Sequence, residues 1–161
     1  MKKASTIFLQ IVVALIGLGI LAWLLWFPHT EGRNVNATVF EIYFKDPFLA
    51  YIYAMSIPFF VGIYHAIKIL GYIGRDEVIS LKAVDALRKI KYCALIVAGA
   101  IVAADAFLMV MARRTGEDAA GAVALGLMIT FASIVIAVAS AVFERTLQKA
   151  VDIKSENDLT V

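Results

Sequence analysis

Apolar residues come in four long runs along this chain, at residues 7–27, 48–73, 92–112 and 119–143, separated by shorter segments that hold nearly all of its charge. A bilayer hydrocarbon core about 30 Å thick takes about 20 apolar residues per helix, because backbone groups in hydrocarbon must be bonded within their own segment. Each run meets that length. The first and fourth carry no charged residue, the second carries His65 and Lys68, and the third carries Asp105 alone. The pattern predicts an all-α integral membrane protein, an antiparallel four-helix bundle forming a single transmembrane domain over residues 1–161.

Composition points the same way. Hydrophobic residues make up 62% of the chain and charged residues 17%, with a mean hydropathy of +0.86, whereas soluble domains carry roughly a quarter charged residues. A net charge of +2 makes no clustered basic face, so direct nucleic-acid contact is not expected. Cys93 is the single cysteine; it excludes an intrachain disulfide and reads as a small apolar filler.

Lysine and arginine near helix ends set orientation, because cytoplasmic loops carry their excess. Lys2, Lys3, Lys68, Arg75, Lys82, Arg88, Lys89, Lys91, Arg145, Lys149 and Lys154 fall on one side, against Arg33, Lys45, Arg113 and Arg114 on the other. Both termini are therefore expected in the cytoplasm. The opening MKK resembles the start of a signal peptide, but the apolar run behind it is too long for one and WLLWFPHTEG has no small-x-small cleavage site, so it reads as a retained helix. Trp23, Trp26, Phe27, Tyr43, Phe44, Phe48 and Tyr51 belt the outer ends, and Tyr72 and Tyr92 the inner ones. In the outer loop, ATVFEIYF at residues 37–44 is expected to lie along the headgroups. The sequon at Asn36 is too short a match to carry a function.

The connection RRTGEDAAG forces the last two spans into an antiparallel hairpin. On the inner side, SLKAVDALRKIKY sets Leu81, Val84, Leu87 and Ile90 on one stripe, away from Lys82, Asp85, Arg88 and Lys89. This predicts an amphipathic helix over about 80–91, capped by Ser80 and resting on the inner leaflet. A cytoplasmic tail follows over 144–161. Phe143, Leu147, Ala150 and Val151 continue the last helix, whereas KSENDLTV reads as an exposed acidic peptide, too short beyond its SEND to begin a helix of its own.

Candidate chemistry is sparse. A carboxylate at the bilayer centre costs about 2.5–3.5 kcal/mol on insertion scales, so Asp105 is either a proton or ion site or a neutral acid bonded to a neighbouring helix. Pro58 removes the hydrogen bond to the carbonyl of Ala54, which makes that carbonyl a candidate acceptor. His65 and Lys68 share a face, but His65 lies on the order of 10 Å nearer the cytoplasm than Asp105 and is not expected to pair with it. Two histidines and one cysteine leave no metal site and no cofactor to expect. No nucleophile, base and oxyanion donors gather on either face, and no enzyme is expected. Small residues recur four apart, as Ala94 and Ala98, Gly99 and Ala103, Ala122, Gly126 and Thr130, and Ser133, Ala137 and Ala141; they fit close packing inside the bundle or a homo-oligomer seam.

AVDALRKIKYCALI at residues 83–96, ITFASIVIAVASAVFERTLQKAVDI at 129–153 and the ending KSENDLTV resemble the bacterial membrane-protein family catalogued as domain of unknown function 2975. The resemblance covers nearly the whole chain. It implies a small four-helix protein of the inner membrane, with members often encoded beside a small helix-turn-helix regulator. Two functions are expected from different classes. In the first, the protein is a membrane-anchored interaction partner, presenting Lys82, Arg88, Lys89, Lys91, Lys154, Glu156, Asn157, Asp158 and Val161 to a cytoplasmic protein such as that DNA-binding regulator. In the second, it is a small transporter or channel for a proton, ion or solute, built on Asp105 and the Pro58 kink.

Overall fold

The computed structural model describes residues 3–30, 38, 40, 47–116 and 118–158. Four helices, each long and apolar enough to cross a membrane, hold most of them. These are α1 (Lys3–Trp26), which runs into a 3-10 turn at Phe27–Thr30, α2 (Pro47–Gly74), α3 (Leu81–Thr115) and α4 (Ala120–Asp158).

Cross-helix contacts give the register. The Gln10 amide donates to the Ile67 carbonyl at 3.0 Å and the Tyr53 hydroxyl to the Leu24 carbonyl at 2.6 Å, so α1 and α2 are antiparallel. Gly62 lies against Cys93, the Tyr51 hydroxyl donates to the Ala100 carbonyl at 2.8 Å, and Phe48 stacks on Phe107, so α2 and α3 are antiparallel as well. Gly126 beside Asp105 and Glu144 beside Arg88 reverse α4 against α3. The extensive contacts run between consecutive helices, α3 with α4 most of all.

The α3–α4 interface is built from small side chains. Val123, Gly126, Thr130, Ser133, Ala137, Ser140 and Glu144 are the buried positions of α4, and they alternate three and four residues apart. That is the knobs-into-holes rhythm of a left-handed helix pair. Small groups let two backbones approach closely where lipid supplies no hydrophobic drive for association. Ala98, Ala100 and Ala104 are buried on α3. Of the expected small-residue ridges, Ala122, Gly99 and Ala103 are exposed. Large apolar groups such as Phe8, Leu15, Leu125, Met128 and Phe131 point outward, as a lipid-facing surface requires.

Local chemistry ends each helix. Asp76, at φ 57°, terminates α2 in a left-handed conformation that aspartate tolerates. The Asp76 amide donates to the Ile73 carbonyl and the Glu77 amide to the Tyr72 carbonyl, the paired bonds of a Schellman motif. Ser80 caps α3 as expected, its hydroxyl accepting from the Ala83 amide at 3.3 Å. Gly116, at φ 75°, closes α3, whose last turn carries Arg113 and Arg114 beside the negative end of the helix dipole.

Two expectations change. The amphipathic segment 80–91 and the span 92–112 are one continuous helix, because no glycine or proline falls between Leu81 and Ala98 to break it. Its first turns are not a separate element: Ala83, Val84 and Ala86 are buried within the protein, and Leu81 is 64% exposed. The acidic tail is helical to Asp158, since a helix already formed extends without a new nucleation cost. Val161 and most of the outer loop, with Asn36 and most of ATVFEIYF, lie outside the described residues.

Candidate functional site

At the end where α2 finishes and α3 begins, α3 and α4 both continue past their apolar runs, by residues 81–91 and 144–158. Glu144 holds them together. Its Oε2 accepts from Lys91 Nζ at 2.6 Å and its Oε1 from Arg88 Nε at 2.7 Å. Arg88 and Lys91 are three apart on α3 and so share a face, and a carboxylate with both oxygens bonded to cations is among the stronger pairings available. Glu144 is buried, Lys91 partly so, and the Arg88 side chain half-exposed. Just beyond the apolar run of α4, the Lys91 ammonium first and the Arg88 guanidinium second hold the Glu144 carboxyl below the usual glutamate range.

Of the expected surface, Arg88 and Lys91 are thus bound to a partner inside the protein. Lys89 pairs with Asp85 at 2.8 Å along α3. Lys82, Lys154, Glu156 and Asn157 are exposed, as are Arg145 and Lys149, and Asp158 is the last residue of α4.

Asp105 is buried at 7% exposure, on the side of α3 that meets α4. Its carboxyl sits against Gly126, in the space where a β-carbon would stand. Its Oδ2 is buried without a hydrogen-bond partner, and so is Oγ1 of Thr130, one turn along α4 from Gly126. The expected bond from Asp105 to the Ala54 carbonyl is not formed. Tyr51 opposite Ala100 and Gly62 opposite Cys93 put Ala54 on the order of 10 Å inward of Asp105. Pro58 interrupts α2 without ending it, and the nearby Ser56 hydroxyl donates to the Tyr53 carbonyl at 2.7 Å.

His65 lies inward of the Gly62–Cys93 contact, away from Asp105. Its ring packs edge-on to Tyr64, and its Nδ1 is buried without a partner. Lys68 Nζ lies 4.6 Å from the centre of the Tyr64 ring, a cation–π contact. An apolar groove of about 290 Å³ opens between α2 and α3, lined by Pro47, Phe48, Tyr51, Ala103, Ala104 and Phe107.

Three polar positions escape a search for charged residues within spans. Gln10 enters α2 because Gly71, four residues after Ile67, leaves room beside the carbonyl. Thr130 and Glu144 lie on the buried stripe of α4; continuing Ser133, Ala137 and Ser140 by four residues arrives at Glu144.

The chain matches the family described as protein of unknown function (DUF2975) over residues 21–161. It is also 43% identical over 163 residues to the uncharacterized membrane protein YoaS of Bacillus subtilis (strain 168), with both chains covered in full. No solved structure matches. With four helices able to cross a bilayer and a relative named as a membrane protein, the chain is a multi-pass membrane protein. A family match over most of its length, together with a relative matched end to end, places it in the DUF2975 family.

Proposed function

We propose that this protein is a membrane-anchored interaction protein whose paired extensions of α3 and α4 hold a soluble cytoplasmic partner. The observation that supports this reading is the Glu144 clasp. At 35 and 39 residues, α3 and α4 are about 52 and 58 Å long, well over the thickness of a hydrocarbon core. Both exceed it at the basic end, and Arg88 and Lys91 tie them together at the base of the projection. A projection braced in this way offers its partner a surface that loses little conformational entropy on binding. Lys82, Arg145, Lys149, Lys154 and Glu156 are exposed along it, a mixed-charge surface suited to electrostatic docking. A small DNA-binding regulator, with a basic surface that an acidic helix end would engage, is the partner class we favour.

Crosslinking and pull-down from native membranes tests it, comparing the full chain with one ending at Lys154. A soluble protein recovered with the first and lost with the second is the expected result. An unchanged set containing only membrane proteins would remove the proposal. The second reading, a proton or ion path, draws support from the unpartnered carboxyl oxygen of Asp105; it requires flux into liposomes that Asp105→Asn abolishes.

A further inference from the structure

Lysines from two helices meet at the basic end of the α2–α3 seam. The Gly62–Cys93 contact, with α2 and α3 antiparallel, sets Lys68 level with Leu87, between Asp85 and Lys89. The charges that act on the His65 ring are those of Lys89, Lys68 and Asp85, so the four groups form one cluster across the two helices. Lys68 and Lys89 are both exposed. Lys68 Nζ lies 4.6 Å from the centre of the Tyr64 ring, and Lys89 pairs with Asp85 at 2.8 Å. An exposed pair of this kind is weak, so Lys89 can exchange Asp85 for another anion.

Depth selects that anion. Tyr92 opens the apolar run of α3, and Lys89 and the level of Lys68 lie about 4 and 7 Å beyond it by helix rise. The headgroup layer is about 5–7 Å thick on each side of the hydrocarbon, so both lysines stand among the lipid phosphates. Lys82 stands further out, about 15 Å beyond Tyr92, and Arg88 and Lys91 are taken up by Glu144. An apolar seat adjoins the cluster. Val61 comes seven residues before Lys68 and Ile96 seven after Lys89, which places each on the stripe of its lysine, two turns deeper in the bilayer. Val61 and Ile96 are 40% and 49% exposed, open to acyl chains.

We propose that this end of the α2–α3 seam binds one anionic phospholipid of the cytoplasmic leaflet. Its phosphate bridges the ammonium groups of Lys68 and Lys89, and its acyl chains run over Val61 and Ile96. Basic side chains set between membrane helices on the cytoplasmic side are the chemistry that takes anionic headgroups. Asp85 opposes the lipid, because its carboxylate competes for Lys89 and repels the phosphate. A zwitterionic lipid carries its own cation beside the phosphate and gains less from the two lysines. The site lies on the far side of α3 from the α4 helix that completes the Glu144 clasp, and it stands apart from any soluble partner.

Native mass spectrometry of the full chain in detergent, titrated with phosphatidylglycerol or phosphatidylcholine, counts bound lipids and ranks their affinities. The expected result is one phosphatidylglycerol held more tightly than phosphatidylcholine. Lys68→Gln and Lys89→Gln each weaken it about fivefold, the share of one basic side chain near an anionic surface. Arg145→Gln is the control: Arg145 is exposed and follows Glu144, the partner of Arg88, so it stands level with Leu87 and Lys68 but on α4. It loses the same charge at the same depth and leaves the affinity unchanged. Asp85→Asn binds more tightly than the parent, a gain that misfolding cannot produce. Four outcomes overturn the proposal: no preference for phosphatidylglycerol in the parent, an Arg145→Gln loss equal to that of the lysine variants, no gain in Asp85→Asn, or displacement of the lipid by equimolar glycerol phosphate. The second would leave only diffuse surface charge, and the last a site for a soluble phosphate.

Discussion

Asp105 of α3 rests on Gly126 of α4, its carboxyl occupying the space that a side chain at residue 126 would take. Gly126→Ala therefore sets a methyl against the acid, and the helices must part or Asp105 must leave its place. Overpacking of this kind costs about 1–3 kcal/mol. At about 2–4 °C per kcal/mol for a chain of this size, thermal melting of the purified protein detects it. Asp105→Ala vacates the same space, so the double variant recovers part of the loss from Gly126→Ala. A double-mutant cycle with a clear coupling energy is the expected result; strict additivity would show that the two residues do not compete for one position.

The spans, the Ser80 cap and the hairpin at residues 113–121 are legible in the sequence because each rests on a local signal. Apolar length, a hydroxyl three residues before an amide, and a short polar connection need no knowledge of neighbours. The facing surfaces are different. Residues four apart drift around a helix, so the ridge of Ala122, Gly126 and Thr130 does not stay in one interface; the buried set alternates three and four, which leaves Ala122 exposed and brings in Ser140 and Glu144. Charge on the inner loop reads as an open surface until Glu144 is seen to take up Arg88 and Lys91. The place of Asp105 against Gly126 is hidden for the same reason, since it depends on the register between α3 and α4 and on which face of α3 meets which helix.

Glu144 makes stability depend on acid. Lys91, then Arg88, lower its folded-state pKa below the ordinary glutamate value. Such a group stabilises the fold at every pH above its unfolded value, about 4.3, and that contribution is lost as pH falls from there through the lowered folded value. Melting temperature should hold near neutral pH and drop in this acid window. Glu144→Gln cannot titrate: it should melt lower than the parent at neutral pH and lose less than the parent on acidification. Asp85→Asn, which touches only the exposed pair with Lys89, should melt like the parent at neutral pH. Parallel acid profiles for the parent and Glu144→Gln would show that the clasp contributes nothing to the fold.

Ser80 fixes where α3 begins. Its hydroxyl donates to the Glu77 carbonyl at 2.9 Å and accepts from the Ala83 amide at 3.3 Å, joining the turn after α2 to the first turn of α3. Ser80→Ala removes the side-chain acceptor and leaves that amide only the Ser80 carbonyl, at 3.1 Å, at a cost of about 0.5–2 kcal/mol for a lost N-cap, whereas Ser80→Asp keeps an acceptor and places a negative charge at the positive end of the helix dipole. The loss should stay local, because Ala83, Val84 and Ala86 anchor the turn that follows. Amide hydrogen exchange is the measurement. In Ser80→Ala, protection should fall at residues 81–84 and hold from Arg88 onward, where the Glu144 clasp takes over. Loss of protection spreading through residues 88–91 would mean that the cap, and not Glu144, secures the extension of α3.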